Sequence, residues 1–338
     1  MNRIYLYLLG TFALFLCSCN ADDNQNTGVN TSATAHLYAT TRSGVVKRYD
    51  INDGIVTNYS VAATDIEGFY YDLEEDAFSI VSRSSNQIES YANINGIGAG
   101  GTKNPDISIV STSEFESPRD LAVSGQFYVV SDDTDLDGDE TTPEGRLFVY
   151  IKTDIGFVLS NVLITKFKVR GLDFIENDLY IAVDETNKIA LYRNFIEQNT
   201  GNRIITADKI VGFQGLIRVH GLDFDEGTMV LSDIGEAESA TDGAIHIVQD
   251  FENKFTNASN GGFVSIEDQL RISGANTLLG NPVNVVYDAD YNVIFVAEAL
   301  NNNGRVLAFN DVTSISDNIS PDLKYDLPGA SSVFYFTE

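Results

Sequence analysis

Val169 to Tyr192 reads VRGLDFIENDLYIAVDETNKIALY, short apolar runs separated by acidic turns, and the pattern recurs in degraded form along almost the whole chain. Residues 219–248 read VHGLDFDEGTMVLSD, then an insertion, then GAIHIV, and residues 66–91 read IEGFYYDLEEDAFSIVSRSSNQIESY. Residues 282–309 read PVNVVYDADYNVIFVAEALNNNGRVLAF, and residues 118–150 fit as PRDLAVSGQFYVVSDD, a long acidic insertion, then GRLFVY. The residue before the G/D/N of each unit is Glu67, Arg119, Arg170, His220 and Val283, in steps of 52, 51, 50 and 63. A repeat of this length without helical punctuation predicts a propeller or a solenoid.

The internal pattern decides between them. In the clearest unit, 171–174, 179–183 and 189–192 alternate apolar and polar residues and are parted by turns at 176–178 and 185–188; a fourth strand follows around 204–211. Four antiparallel strands cannot bury both faces alone and must stack on their neighbours, which is the logic of a propeller blade. The chain ends on a lone apolar strand, 331–336 (SSVFYF), while 36–40 and 45–49 look like the second and third strands of a blade lacking its first. Joining them makes a composite blade and removes two exposed edges. The fold expected is therefore all-β: a six-bladed β-propeller over 35–338, with 93–106 and 257–279 its least patterned stretches.

The phrases GLDF…DLYIAVDETNKIALY and HGLDF…VLSD resemble the six-bladed propellers of the NHL, SMP-30/gluconolactonase and TolB-like group. The resemblance covers the chain from residue 35 onward and speaks to fold more than function, because the group mixes lactonases, scaffolds and binding modules. No tryptophan is present, which argues against WD40 repeats.

The N-terminus carries a different signal. Residues 1–18 hold Arg3 and an apolar run, YLYLLGTFALFL, followed by Leu16-Cys17-Ser18-Cys19. This is the pattern of a lipoprotein signal peptide, cleaved before Cys19, whose thiol and amine are then lipidated. The apolar run is too short for a spanning helix. Residues 19–34 are polar and aperiodic, a flexible tether. Asp22 and Asp23 resemble the export signal that sends Bacteroidota lipoproteins to the outer face of the outer membrane. Maturation by this route removes Cys17 and blocks Cys19, so neither disulfide nor cysteine catalysis is expected in the domain. With 49 acidic against 21 basic residues, binding to nucleic-acid phosphates is excluded in practice. The same charge could collect divalent cations.

Residues 133–144, DTDLDGDETTPE, match D-x-D-x-D-G-x5-E without a gap. In such a loop Asp133, Asp135 and Asp137 converge on a hard cation, Gly138 permits the sharp turn, Asp139 offers its carbonyl, and Glu144 closes the sphere. Seven carboxylates fall within 132–144, so without a cation their repulsion keeps the loop open. Strands rather than helices flank it, so it resembles the calcium loops inserted in hairpins of other propellers, and a structural Ca2+ is expected. The competing reading is a solvated acidic loop.

The start of each innermost strand faces the mouth of a propeller's channel, the usual ligand site. Those positions are Glu67, Arg119, Arg170, His220, Val283 and Ser331. In SMP-30-like lactonases a Glu-Gly opens the first blade and oxygen ligands at the equivalent places complete a metal site. Glu67-Gly68 matches, but Arg170 and His220 stand where oxygens are wanted, and two guanidinium groups repel a cation. Arginine's planar fork suits carboxylate or phosphate instead. The expected ligand is a small anion, a glycan or an envelope protein; the competing reading is an Arg–Glu network that plugs the channel. Asp132, Asp184, Asp233 and Glu298 recur at second-strand ends and are expected to accept backbone N–H groups. No catalytic motif is evident. The sequence favours a binding or scaffolding module; the alternative is a propeller hydrolase or lyase using the mouth.

Overall fold

Six sheets, one per repeat, make up the domain, and each is an antiparallel meander running outward from its innermost strand. The structure, a computed structural model, describes residues 35–139, 141–315 and 317–337. The expected signal peptide (1–18), lipidated Cys19 and tether (19–34) lie outside the described residues. The innermost strands, Ile66–Asp72, Pro118–Ser124, Val169–Ile175, Val219–Asp225, Pro282–Asp288 and Ala330–Thr337, pack each against the next, and the last returns to the first. This is a closed six-bladed propeller. The composite blade forms as expected: Ala330–Thr337 pairs antiparallel with Ala35–Thr41, from Ala35 opposite Thr337 to Thr41 opposite Ala330. Val45–Asp50 and Ile55–Ser60 complete it.

Because each blade is covered on both sides, its second strand is buried along nearly its whole length, and entirely so in Ala77–Ser82, Thr228–Asp233 and Val293–Glu298. Apolar faces of consecutive blades meet in six clusters, one per interface. The innermost strands share no backbone ladder, so side chains bridge them. Asp120 accepts from the Leu172 amide (3.3 Å), Asp173 from Phe224 (3.1 Å), Asp223 from Tyr287 (2.7 Å) and Asn284 from Val333 (3.0 Å). These bonds satisfy N–H groups that the ring geometry would otherwise leave unpaired.

Two expectations need correction. Three blades have a fifth strand, contributed by the following blade and parallel to the outer edge: Gly101–Lys103 on Ile55–Ser60, Arg203–Ile204 on Gly156–Thr165, and Phe263–Val264 on Lys209–Phe213. The poorly patterned stretches 93–106 and 257–279 hold two of these edge covers. The fourth strand expected around 204–211 is split, with Arg203–Ile204 on the neighbour's edge and Lys209–Phe213 in its own blade. An exposed outer edge invites pairing with another chain, and a short parallel cover blunts it. The second correction is helical. Phe251–Asn257 is a helix whose Phe251 and Phe255, one turn apart, pack their rings on Tyr180 at 5.4 Å between blades four and five. Among the described residues no helix is long and apolar enough to cross a membrane.

Candidate functional site

The six mouth positions converge on one cavity lined by Glu67, Arg119, Arg170, His220, Val283 and Ser331. What aims them inward is a break in pairing at the start of each innermost strand. Register jumps from Val169 to Leu172, from Val219 to Leu222 and from Pro282 to Asn284, leaving Arg170, His220 and Val283 out of the ladder. Pro118 and Asp120 likewise pair on either side of Arg119, and Ala330 and Ser332 on either side of Ser331. In the second blade the unpaired residue is Gly68, beside Glu67. A bulge of this kind re-aims a side chain away from the sheet face. The glycine that follows serves close approach. A Cβ on Gly171 would sit 2.4 Å from the His220 carbonyl oxygen, and one on Gly221 would sit 2.8 Å from the Asn284 Cα.

In a chain of net charge −28 this mouth gathers cations. Arg119 Nε lies 2.7 Å from Asp133 Oδ2, an ion contact too poorly aligned to be a hydrogen bond. The nearest carboxylate oxygens to Arg170, on Asp184 and Asp133, are 3.9 and 4.0 Å away. Arg218 reaches Asp184 at 3.2 Å, and Arg83 approaches Glu67 Oε1 at 3.6 Å and Asp65 at 3.4 Å. Burial pushes the Glu67 carboxyl up, against the pull of Arg170, Arg42, Arg83 and Arg119. Burial, reinforced by Arg170, Arg218, Arg119 and Arg42, holds the His220 imidazole well below its ordinary range, so it is neutral at physiological pH. His220 is 5 % exposed and Glu67 4 % exposed. Neither ring nitrogen of His220, nor Glu67 Oε1, has a hydrogen-bond partner among the described residues. The cavity of about 10 Å³ holds roughly one water. An ion-pair network narrows the mouth, and buried polar atoms of Glu67 and His220 lie in it without hydrogen-bond partners.

The acidic loop is assembled in part. Asp135, Asp137 and Glu144 each bring a carboxylate oxygen within 4.8 Å of the others, a set that could hold a hard cation. Gly138 takes φ +73°, the left-handed turn its position requires. The other two expected ligands point elsewhere. Asp133 turns away onto Arg119 because a guanidinium satisfies its charge at contact distance. Asp139 accepts from the Thr141 hydroxyl (2.7 Å) and amide (3.0 Å), which holds its carboxyl below the usual range, and its carbonyl accepts from the Thr142 amide (2.9 Å).

The second-strand carboxylates are staples, as expected, with a reach longer than the sequence suggested. Asp132 accepts from the amides of Glu116 (2.8 Å) and Ser117 (2.9 Å) before its blade and of Thr134 (3.1 Å) after it, and from Arg146 (3.0 Å). Asp233 takes the amides of Ile217, Arg218 and Gly235. Glu298 takes those of Gly280, Asn281, Leu300 and Asn301. Asp184 is the exception: it keeps the Glu185 amide but otherwise turns to Arg218. Sequence reasoning missed Arg83, Arg218 and Asp184 as members of the mouth, since all three lie outside the repeat column that identified it.

Fold and mouth together define a closed six-bladed β-propeller with a polar, arginine-rich channel mouth. Its backbone is similar to a chain in the crystal structure of a nidogen/laminin complex, at a TM-score of 0.58 and 15% identity, covering 89% of this chain and 98% of that one. It is also similar to a functionally unknown protein from Desulfotomaculum acetoxidans DSM 771, at a TM-score of 0.51 and 11% identity, covering 82% and 75%. At such identities the likeness is one of fold alone. No protein-family model matches the sequence, and no curated protein matches it.

Proposed function

We propose that this protein is a cell-envelope binding module, held to the outer membrane through a lipidated Cys19, that presents its channel mouth to an anionic group on a small ligand, a glycan or an envelope protein. The observation that carries the reading is the convergence of Arg119, Arg170, His220 and Glu67 on one cavity where buried polar atoms lack partners. Buried polar groups are almost always paired, so an unpaired set at a channel mouth argues for an external partner. Two guanidinium groups in that set favour an anion. An Arg119→Ala/Arg170→Ala variant is expected to keep its melting temperature within several degrees and to lose anion binding at least tenfold, measured by calorimetry. Retention of all binding by the folded variant would remove the reading.

The acidic loop is proposed as a structural calcium site with Asp135, Asp137 and Glu144 as protein ligands. Calorimetry with Ca2+ should give heat for the wild type and none for Asp135→Ala; silence from both means the sequence match is accidental. The anchor is tested by Cys19→Ala, which should shift the protein from the membrane fraction to the soluble envelope fraction. A hydrolase or lyase reading predicts turnover of lactones, phosphoesters or glycans that depends on Glu67 or His220, with or without EDTA. The guanidinium groups at the mouth argue against the metal-dependent version of it.

A further inference from the structure

Asp133 stands between the two features the sequence singled out. It is the first residue of the acidic loop, yet its carboxylate is seated on Arg119 at 2.7 Å, with Arg170 beyond at 4.0 Å. Its backbone is fixed: the amide donates to the Ser117 carbonyl at 3.1 Å, and Asp132 beside it staples the blade. Its side chain is therefore a carboxylate held by a short stem against the mouth's arginines, in the way a ligand's carboxylate would be held. Around it the mouth is incompletely satisfied. Arg170, with a side chain 12 % exposed, has its nearest carboxylates at 3.9 and 4.0 Å, outside hydrogen-bond range. His220 and Glu67 Oε1 are buried without hydrogen-bond partners. The internal acid thus sits on one of the mouth's two guanidinium groups, while Arg170, His220 and Glu67 keep only longer ion contacts of 3.6–4.0 Å.

We propose that Asp133 is an internal competitor for the mouth's ligand, and that the ligand is recognised through a carboxylate that displaces it from Arg119. The inference rests on the reading of the mouth as an anion site and deepens it: the mouth is a self-occluded carboxylate receptor. The cavity among Glu67, Arg119, Arg170 and His220, about 10 Å³, admits a water and no organic anion. The displaced carboxylate stands at the start of a loop whose residues 136–139 are exposed, where water can solvate it. Occlusion lowers apparent affinity by the fraction of time the seat is free.

The test is calorimetric titration of the folded domain with acetate, succinate and inorganic phosphate, on the wild type, Asp133→Asn and Arg119→Ala/Asp133→Asn. Asn keeps the shape of Asp without its charge, so Asp133→Asn should bind the two carboxylates about tenfold more tightly than the wild type and prefer them to phosphate. The double variant should lose the gain. Should Asp133→Asn melt early, Asp133→Ser serves in its place. Equal affinity of wild type and Asp133→Asn overturns the competitor while leaving an anion site at the mouth. A gain that survives loss of Arg119 also overturns it, because the seat is then elsewhere. A preference for phosphate refutes the carboxylate class. If no variant binds any of the three anions, the competitor and the reading of the mouth fall together.

Discussion

Asp132→Ala should destabilise the propeller by about 4 kcal/mol. The carboxylate is fully buried and collects three amides and the Arg146 guanidinium. Burial alone would raise its pKa, but the hydrogen bonds from Thr134, Glu116 and Ser117 and the charge of Arg146 outweigh that and hold it below the usual range. Removing the side chain strands several of those donors at once, each worth ~1–3 kcal/mol when left unsatisfied. Relaxation and water entry recover part of the sum, and Arg146 retains Glu116 at 3.1 Å, which keeps the net near the lower end. For a domain of this size the loss corresponds to a fall in melting temperature of roughly 6 °C. Asp132→Asn keeps one acceptor oxygen and should lose about half as much. Asp154→Ala, exposed in a hairpin, is the control and should change stability by less than about 0.5 kcal/mol. A loss from Asp132→Ala no larger than the control's would mean the staple contributes nothing.

The staple also shows what a sequence can and cannot disclose. Recurrence of an acid at 132, 184, 233 and 298 was enough to assign a structural role, because four independent copies of a catalytic group are implausible and four copies of a turn bond are not. The fold was legible for the same reason: a period near fifty repeats the same burial problem, and only stacking solves it. The mouth was legible as a column because the residue before G/D/N recurs. Its direction was hidden in the bulge, which depends on pairing between strands and not on either strand alone. The edge covers at 101–103, 203–204 and 263–264 were illegible, being two or three residues long and stabilised by the neighbouring blade. The helix at Phe251–Asn257 escaped because its apolar residues, Phe251 and Phe255, amount to one turn and show no period. In the acidic loop the structure brings Asp135, Asp137 and Glu144 together, while Asp133 lies against Arg119, a contact with a different strand that spacing within the loop does not reveal.

Along the same innermost strands, past the mouth, Asp120, Asp173 and Asp223 line a cavity of about 350 Å³. Burial pushes the Asp120 and Asp173 carboxyls up to about 7. Burial, followed by the neighbouring Asp173, holds Asp223 well above its usual range. In the unfolded chain all three titrate near ~3.9. An acid whose pKa is raised on folding contributes stability that is fully present below the unfolded value and is lost as pH rises through the folded one. The propeller should therefore be more stable at pH 5 than at pH 8, with Asp120 and Asp173 acting through about 7 and Asp223 in the same sense. Asp132 and Asp233, whose pKa values are lowered, act in the opposite sense under more acid conditions, and His220, also lowered, opposes the slope below its ordinary value of ~6.5 as one group against three. General repulsion in a chain of charge −28 slopes the same way as the channel acids, so the slope alone does not identify them. Asp223→Asn separates the two. Asp223 is seen to accept one amide, that of Tyr287, and an asparagine oxygen can keep that bond. The substitution removes a buried charge and relieves Asp173 beside it. Melting temperature should rise by several degrees at pH 8 and change little at pH 5, each unit of relieved pKa shift being worth ~1.4 kcal/mol. An equal change at both pH values would show that Asp223 is not the group whose ionisation limits the fold.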